Sequence, residues 1–374
     1  MKTEIVTAVY DRRLNRNALA TARAVELLQK GEAVALPTET VYGLAADALE
    51  AKAVARIFEA KKRPHFDPLI VHLPNRDWLK KIADVPPQTD RLIERLMSHF
   101  WPGPFTIVLP KRKLVPDIVT AGLDTVAVRM SAHPVFAEII RAFEKPLAAP
   151  SANRFGRISP TTAEHVRDEL DGRIPLIVDA GPTPHGLEST IVSVGVRKID
   201  ILRQGPITVE QLSPFAKIEI VARGGKISAP GQLPSHYAPK TPLRLVDNAA
   251  SFAPEKDQRI GLVAWNSSSS SRFPAANSTE RRTGDRSSLE FVAVRHLSEK
   301  QDFREAATNL FRHLRELDRL DLDLIVAERV PSQGLGAAIM DRLERAAKSE
   351  SSADFDLTAT RSRRRMSSER NSPT

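Results

Sequence analysis

The chain has 374 residues, which exceeds the usual size of one domain and suits two, because hydrophobic cores stop growing at smaller sizes. It carries 55 Lys and Arg against 46 Asp and Glu, and the formal charge of +9 favours polyanionic partners such as nucleotides, phosphates or RNA. It has no cysteine, which excludes disulfides, thiolate zinc sites and a cysteine nucleophile.

The N-terminal segment has charges every few residues and lacks the apolar stretch of a signal peptide. No run of about 18 apolar residues, the length that a membrane helix needs, occurs anywhere in the chain. We therefore expect a soluble protein that is not exported and has no membrane contact. The absence of cysteine fits a reducing cytoplasm.

The first part of the chain mixes helical and strand periodicities. Asn17 is expected to cap a helix that Gly31 ends, and a strand follows at 32–37. Further helices are predicted at 50–61, 88–98, 134–143 and 161–170. Short apolar runs predict strands at PLIVHL, FTIVLP, TVAVRM, PLAAP, PLIVDAG and STIVSV. Because strands and helices do not alternate strictly, residues 1–212 are predicted to form an α/β domain on a twisted, mixed sheet.

The pattern changes after residue 212. Residues 213–242 are rich in Gly and Pro and are predicted to form a linker, a kind of segment that is often functional at this length. A second α/β unit spans 243–347, where apolar strands and two helices favour a small parallel sheet. Residues 348–374 have too few apolar side chains to pack, so we expect a disordered basic tail.

The motif ALPTETVYGL, residues 35–44, places a carboxylate between two hydroxyls after Pro37. If the backbone stays extended, Thr38 and Thr40 point to one side and Glu39 to the other. Such a triplet suits a polar ligand site, and it also suits an ordinary capped turn.

The motif KKRPHFDPLIVHL, residues 61–73, places Lys61 and Arg63 after a predicted helix and ahead of an apolar strand that carries His72. The arginine fork matches phosphate or carboxylate geometry, whereas lysine acts as a point charge. A solvated helix end would also explain the two cations, and His72 could be a core histidine with its hydrogen bonds satisfied.

The loop APSANRFGRISPTTAEHV follows an apolar strand and offers hydroxyls, an amide and two arginines. Ser151 and Asn153 are expected to project from the end of that strand, where α/β sheets commonly bind ligands. No G-x-S-x-G turn surrounds Ser151, which argues against a serine nucleophile. Neither a P-loop nor a G-x-G-x-x-G motif occurs, so a nucleotide bound here would not sit on a P-loop.

Arginines also lie within predicted strands. Arg129 in TVAVRM is costly to bury unless it meets an anion, which predicts either a ligand or a structural salt bridge as its partner. Arg203 lies in ILRQG, and a further hydroxyl pair lies in GLESTIV, residues 186–192.

Taken in order, PTETVYGL, KKRP, PLIVH, WPGPFTIVL, AGLDTVAVRM, PSANRFGRISPT, GLESTIV and ILRQG resemble the YrdC-like family. The segments APGQLPSHYAPKTP and VPSQGLGAAIMDRL are similar to its long two-domain form, so the resemblance spans about residues 10 to 347. It implies a YrdC-like twisted sheet with helices and a smaller, Rossmann-like C-terminal domain. Gln204 and Gln232 depart from the family pattern, which commonly has proline and methionine there.

The resemblance implies an enzyme that condenses L-threonine, bicarbonate and ATP into threonylcarbamoyl-AMP and releases pyrophosphate. A partner transferase then passes the threonylcarbamoyl group to an adenosine of certain tRNAs. Mg²⁺ would enter with ATP, and no protein metal site is expected. Catalysis would consist mostly of positioning and charge stabilisation, and no covalent intermediate is required.

Site residues follow from the family motifs position by position. The catalytic K-x-R and S-x-N signature falls on Lys61, Arg63, Ser151 and Asn153. The resemblance implies a threonine site made of Thr40, His72, Arg129, Ser151 and Ser189. It implies an ATP site made of Lys61, Arg63, Asp67, Thr125, Asn153, Ser159, Arg203 and Tyr237. Prolines flank His236 and Tyr237 in the linker, and a stiffened segment of this kind is expected to close over the nucleotide as a lid.

Two alternatives compete with this interpretation. The hydrogenase-maturation carbamoyltransferase also contains a YrdC-like domain, but that protein carries cysteine zinc fingers and this chain has no cysteine. An RNA-binding module would fit the positive charge and a possible tRNA contact. No RRM or KH signature supports such a module, and the arginines between 361 and 370 raise the charge outside the core.

Overall fold

The structure, a computed structural model, describes residues 2–8, 17–222, 229–230, 236–255, 257–265 and 291–348. Residues 223–228 and 231–235 of the predicted linker lie outside this described part, as does the predicted tail after Lys348. None of the helices in the described part combines the length and the apolarity that crossing a membrane requires.

The larger sheet has 11 strands. They are β1 (Glu4–Thr7), β2 (Val34–Leu36), β3 (Gly43–Asp47), β4 (Ile70–His72), β5 (Phe105–Pro110), β6 (Thr125–Arg129), β7 (Leu147–Ala148), β8 (Leu176–Asp179), β9 (Thr190–Val194), β10 (Lys198–Arg203) and β11 (Lys217–Ile220). Their spatial order is β1-β8-β2-β3-β7-β4-β6-β5-β9-β10-β11. Parallel pairs such as β4 with β6 lie beside antiparallel pairs such as β5 with β6, which confirms the predicted mixed sheet.

Within its described residues, the first region has five longer α-helices close to their predicted positions and three four-residue α-helices that were not predicted. They are α1 (Asn17–Gln29), α2 (Ala51–Lys61), α3 (Leu79–Ile82), α4 (Asp90–Phe100), α5 (Asp117–Thr120), α6 (Pro134–Phe143), α7 (Ala163–Leu170) and α8 (Val209–Leu212). The three that were not predicted are α3, α5 and α8. Local caps set several ends. The carboxylate of Glu50 accepts a hydrogen bond from the amide of Lys52 at the start of α2, and the Thr162 hydroxyl accepts one from the amide of His165 in α7.

The two faces of the larger sheet are covered differently. Val71 and Val128 point into the main core, which α2 and α4 cover. On the opposite face, α1 and α6 pack over β8, β2, β3 and β7. In the neighbouring strands β4 and β6, side chains alternate between the two faces of the sheet. Ile70 and Ala127 point to this second face. The part of that face beside α6 is where the candidate site lies.

The smaller sheet has strands β12 (Leu243–Val246), β13 (Ile260–Ala264), β14 (Ala293–His296) and β15 (Leu324–Glu328), in the order β12-β15-β13-β14. All its pairs are parallel, which confirms the predicted small parallel sheet. Helices α9 (Phe303–Asp318) and α10 (Leu335–Ala347) pack with it. The buried carboxylate of Glu328 accepts hydrogen bonds from the amides of Ala249 and Trp265, which ties together the ends of three segments.

The boundary between the two regions differs from the sequence prediction. Strand β11 pairs in parallel with β10, so the larger sheet continues to Ile220 and does not end at residue 212. This edge strand alternates as KIEI but has only four residues, none of them fully buried, and so short a run does not separate it from a linker by sequence alone.

The two regions contact each other through ion pairs between α7 and α9. Arg315 lies 3.2 Å from Glu169, and Arg319 pairs with Asp168. Close backbone packing adds to these pairs, since a side chain on Gly186 would overlap the backbone of α9.

Candidate functional site

A cavity of about 560 Å³, including its open mouth, lies on the second face of the larger sheet. It collects side chains from segments that are far apart in sequence. They are Thr38, Thr40, Val41, Gly43, Arg63, Ile70, His72, Arg129, Ala149, Pro150, Ser151, Glu188, Ser189, Arg203, Pro230, His236 and Tyr237.

The position of the cavity follows from strand register. His72 of β4 and Arg129 of β6 are neighbours across a parallel pair, and Ile70 pairs with Ala127. Side chains two residues apart on a strand share a face, so His72 and Arg129 point to the same side of the sheet as Ile70. His72 and Arg129 are the last residues of their strands, and Ser151 follows the end of β7, so the site lies over this sheet face at strand ends, as the sequence led us to expect.

Arg129 is buried and already has partners. Its Nη2 donates to Oε1 of Glu39 at 2.6 Å, its Nη1 donates to the Thr40 hydroxyl at 3.1 Å, and its Nε donates to the carbonyl of Gly103 at 3.1 Å. The sequence allowed either a ligand or a structural salt bridge as the partner of Arg129, and the structure contains a salt bridge with Glu39. Because Arg129 also lines the cavity, a substrate carboxylate would have to share it with Glu39.

Glu39 stays ionised in spite of its burial. Burial alone would raise the pKa of Glu39, but the Arg129 charge and hydrogen bonds from Ser131 and Arg129 lower it to about 2. Arg129 reaches both Glu39 and Thr40, so these two side chains do not diverge as an extended backbone would require. The backbone of this segment is bent and not extended, so the condition for that arrangement is not met.

Thr38 forms this turn. Its hydroxyl donates to the carbonyl of Val41 at 2.6 Å and accepts hydrogen bonds from the amides of Thr40 and Val41. It also lies 2.8 Å from the Thr40 hydroxyl. Thr38 therefore caps a turn, which is one of the two roles that the sequence suggested for this motif. Thr40 connects the turn to Arg129 and lines the cavity.

His72 enters the cavity as a neutral ring. Burial and the nearby Arg129 charge lower the pKa of His72 to about 3. Its ring lies 4.8 Å from the ring of Phe136 on α6, and its Nδ1 has no hydrogen-bond partner among the described residues. A neutral imidazole with one unused nitrogen can orient a polar substrate group.

Lys61 connects the end of α2 to the serine–asparagine loop. Its Nζ donates to the carbonyls of Ser151 at 2.6 Å and Asn153 at 2.5 Å. Burial and the charge of Arg63 hold the pKa of Lys61 well below its usual value. The structure thus brings the K-x-R and S-x-N signatures together, although Lys61 itself does not line the cavity.

Arg63 lines the cavity and is oriented by the next turn of chain. It donates to the carbonyls of Asp67 at 3.1 Å and Pro68 at 2.8 Å, and its Nη2 lies 2.7 Å from the Asp67 carboxylate. Asp67 is fully buried, and apart from this ion pair with Arg63 no described residue donates a hydrogen bond to its carboxylate.

Asn153 and Ser159 shape the loop from behind. Asn153 donates from Nδ2 to the carbonyls of Arg154 and Arg157, both at 2.8 Å, and its Oδ1 has no partner in the described part. Ser159 donates to the carboxylate of Glu188. Both are buried, and neither lines the cavity itself.

Ser189 and Arg203 form one unit on β9 and β10. Arg203 donates to the carbonyl of Ser189 at 3.0 and 3.1 Å and to its hydroxyl at 3.1 Å. Thr106 of β5 lies 2.8 Å from the same hydroxyl. Ser189, a residue predicted to bind threonine, and Arg203, a residue predicted to bind ATP, are therefore hydrogen-bonded to each other.

Thr125 is one of the predicted site residues that do not line the cavity. It lies on the same face of β6 as Arg129 but about 13 Å away along the strand. Extending the register of β4 and β6 places it level with Pro68, whose carbonyl binds Arg63. Thr125 therefore lies at the same end of the β4 and β6 pair as Arg63.

His236 and Tyr237 come from the predicted linker and are buried at the cavity. Tyr237 has φ +66°, a left-handed conformation that is rare for a bulky residue. Its ring stacks on Phe311 of α9 at 5.5 Å, and its hydroxyl has no partner among the described residues. The following residue, Ala238, donates from its amide to the carbonyl of Gly156 and so ties this segment to the serine–asparagine loop.

Three site components, Glu39, Glu188 and Arg342, were not predicted from the sequence. Glu188 lines the cavity and pairs at 3.0 Å with Arg342, a fully buried arginine of α10. Glu39 and Glu188 stand in motifs that the sequence analysis singled out for their hydroxyls, so their positions were a usable signal. Arg342 carries no such signal, because it looks like any charged residue of an amphipathic helix.

Metal binding has no preformed protein site in the described ranges. They contain no group of three or more His, Asp or Glu residues that could hold an ion. A magnesium ion that arrives with a nucleotide needs only one or two carboxylates, because phosphates and water supply its other ligands. Asp67 fits such a role chemically, since its carboxylate beside Arg63 has unused acceptor capacity.

Two family models match the chain. One, described as "Telomere recombination" and covering the Sua5, YciO and YrdC proteins, matches residues 26–205. The other, described as "Threonylcarbamoyl-AMP synthase, C-terminal domain", matches residues 207–348.

Curated relatives match over nearly their whole length. A threonylcarbamoyl-AMP synthase of Pyrococcus abyssi is 39% identical over 330 residues, which cover 86% of this chain and 92% of that protein. A threonylcarbamoyl-AMP synthase of Bacillus subtilis is 39% identical over 340 residues, which cover 89% of this chain and 94% of that protein.

Solved structures of Pyrococcus abyssi Sua5 match this fold as well. The complex with L-threonine has a TM-score of 0.77 at 35% identity and covers 92% of this chain and 98% of that one. A variant in which a histidine and the following tyrosine are replaced by alanine has a TM-score of 0.78 at 34% identity, covering 92% of this chain and 96% of that one.

Proposed function

Since this chain belongs to the Sua5, YciO and YrdC family in its two-domain form, we propose that its cavity makes threonylcarbamoyl-AMP from L-threonine, bicarbonate and ATP, with release of pyrophosphate. The supporting observation is the arrangement of one sheet face. His72 and Arg129 lie at one end of the parallel pair β4 and β6, and Arg63 lies toward the other.

The first end suits an amino acid. Arg129 and the Thr40 hydroxyl offer donors to a carboxylate, and the neutral ring of His72 offers a hydrogen bond without adding charge. The Ser189 hydroxyl lies on the same side of the cavity, held by Arg203. A Pyrococcus abyssi relative was solved with L-threonine bound, which supports this choice of amino acid.

The other end suits a polyphosphate. Arg63 lines the cavity there as a fixed cation, and Lys61 holds the loop of Ser151 and Asn153 in place through two backbone carbonyls. Arg203 lines the cavity beside Ser189 and adds a second fixed cation. Side chains that are fixed before the substrate arrives stabilise developing phosphate charge without reorganisation.

The proposed chemistry needs positioning more than proton transfer. The threonine amine attacks the carbon of bicarbonate and water leaves, which gives a carbamate. A carbamate oxygen then attacks the α-phosphorus of ATP, and pyrophosphate leaves with the electron pair of the broken P–O bond. The cavity would hold the two reactants on one face of the sheet, which converts the second step into an effectively unimolecular one.

Mg²⁺ belongs to the proposal as a companion of ATP. Asp67 is the residue that would hold it, together with phosphate oxygens and water. The ion would neutralise phosphate charge, whereas the cations of the cavity orient the nucleotide.

The linker is proposed to act as a lid over the nucleotide. His236 and Tyr237 are the adjacent histidine and tyrosine in the described part of this chain, and they bury against the cavity. A related protein has been solved with such a pair replaced by alanine. Closure would exclude water, which hydrolyses carbamates and mixed anhydrides.

The product would pass to a downstream tRNA threonylcarbamoyl transferase, and a cytoplasmic location remains part of this proposal. An RNA-binding module is not favoured as the function, because relatives along most of the chain are named as synthases. A direct contact with tRNA stays a prediction.

Pyrophosphate release tests the proposal. Purified protein with L-threonine, bicarbonate, Mg²⁺ and ATP should release pyrophosphate, and leaving out threonine should abolish the release. Turnover that does not depend on threonine would contradict the assignment.

A further inference from the structure

An arginine of the second region forms part of the packing behind the cavity. Arg342 lies on α10, and its side chain is fully buried against the larger sheet. A buried guanidinium is costly unless all its charge is matched, so its partners indicate what the residue does.

Arg342 connects two segments of the cavity. Its Nε donates to the Glu188 carboxylate at 3.0 Å, and its Nη1 donates to the carbonyl of Gln204 at 2.8 Å. Glu188 directly precedes Ser189, and Gln204 directly follows Arg203. The planar fork of one arginine therefore spans the two chain segments that present Ser189 and Arg203 to the cavity.

These two segments are in close contact, so a small shift in one is transmitted to the other. A side chain on Gly205 would lie 2.5 Å from the carbonyl oxygen of Glu188 and from the amide nitrogen of Thr190. Arg203 also donates three hydrogen bonds to Ser189. Arg342 holds this unit without itself lining the cavity.

The same arginine supports the linker. The guanidinium carbon of Arg342 lies 5.2 Å from the centre of the Tyr237 ring, and that of Arg345 lies 5.0 Å from it. Cations at this distance from an aromatic face attract it. Asp341 lies 2.7 Å from Nη1 of Arg342 and balances part of the charge.

We propose that Arg342 is a positioning residue of the synthase site, which sets Ser189, Arg203 and Tyr237 through its contacts with Glu188, Gln204 and the tyrosine ring. The second region thereby completes the site without touching substrate. This inference rests on the proposed function, because it names the residues whose placement limits that reaction.

Domain docking alone does not explain Arg342. Other ion pairs join the two regions, including Arg319 with Asp168 and Arg157 with Asp318 at 3.3 Å. Arg319 and Asp168 are partly exposed and do not line the cavity, so they provide a control for a lost contact between the regions.

The experiment compares R342K and R342Q with R319K and R319Q in the full chain. Kinetic constants for threonine and ATP are measured from threonylcarbamoyl-AMP formation, and melting temperatures are measured alongside. We expect R342K to stay folded and to lose about tenfold or more in kcat/KM for both substrates, as one lost charge-assisted hydrogen bond implies. The Arg319 variants should stay within about twofold of the parent protein.

A double variant separates positioning from charge neutralisation. In E188Q/R342Q the Glu188 carboxylate is gone and Asp341 keeps Arg345 at 3.6 Å, so the protein should fold. KM should nevertheless stay high, because the carbonyl of Gln204 and the Tyr237 ring lack their support. Recovery of full activity in the double variant would show that Arg342 only neutralises Glu188 and would overturn the proposal, as would parent-like kinetics for R342K. If the parent protein makes no threonylcarbamoyl-AMP, the proposed function fails first, and the inference fails with it.

Discussion

Arg129 lies 2.6 Å from Glu39, with its guanidinium donating to a carboxylate that is itself almost fully buried. The cation that the sequence pattern placed in an apolar strand is therefore neutralised before a substrate enters. A substrate carboxylate at this position competes with Glu39 for the same donors, and its binding depends on how the pair is arranged.

Replacing Arg129 with alanine should weaken threonine far more than ATP. The expected loss is about 2–4 kcal/mol for threonine, because a buried charge-assisted pair disappears. Calorimetric titration with each ligand measures it, and E39Q/R129A serves as the control that leaves no unpaired carboxylate. Equal losses for both ligands would mean that Arg129 has only a structural role.

Glu39 should make the protein less stable in acid. Its pKa falls from 4.5 to about 2 on folding, so its stabilising contribution is complete above pH 4.5 and disappears as the pH falls toward 2. Urea unfolding at pH 7, 4.5 and 3 should show that the stability gap between the parent protein and E39Q narrows as the pH falls. A gap that is constant with pH would show that the Glu39 carboxylate is not linked to folding.

The linker should matter for product yield and not for folding. Exchanging residues 230–239 for a Gly/Ser run of equal length should leave both regions folded but lower the yield of threonylcarbamoyl-AMP, because Tyr237 and His236 no longer cover the cavity. Circular dichroism monitors folding, and mass spectrometry measures the product. Proteolysis within 222–240 should also slow when ATP and threonine are added together. If the exchanged variant keeps full product yield and the ligands do not change the rate of proteolysis, the segment is only a tether between the two regions.

Gly205 should tolerate no side chain. An added methyl group would meet the backbone of Glu188 and Thr190 at 2.5 Å, so Gly205→Ala should lower the free energy of unfolding by about 1–3 kcal/mol and also lower activity. Gly195→Ala is the matched control in the turn between β9 and β10, where the nearest atom belongs to the flexible Lys198 side chain at 3.0 Å. Similar unfolding curves for both variants would contradict this packing.

Periodicity predicted the elements that bury a clear face. The helices α2, α4, α6 and α7 and most strands of both sheets follow patterns that the sequence displays directly. Strands β1, β3 and β11 were missed. β1 and β11 have only four residues and no fully buried side chain, whereas β3 is buried along its whole length and its sequence GLAAD shows no alternation. The pairing of strands distant in sequence, such as β1 with β8, has no local signal at all.

The residues of the site were predictable only through the family motifs. Spacing alone could not distinguish a ligand arginine from a paired one at Arg129, and the structure shows why: Glu39 is contributed by a turn that is 90 residues away in the chain. Arg342 could not be predicted, since its role arises from the docking of the second region. The assignments of individual residues to threonine and ATP stay predictions.

The central claim is that one cavity joins threonine, bicarbonate and ATP. Incubation of the purified protein with radiolabelled bicarbonate, L-threonine and Mg²⁺-ATP tests it most directly, with the product separated by chromatography. Label should appear in threonylcarbamoyl-AMP only when threonine and ATP are both present, and R129A should lose this product when threonine is limiting. Label that enters the nucleotide product without threonine, or none in a folded protein with both substrates, would contradict it.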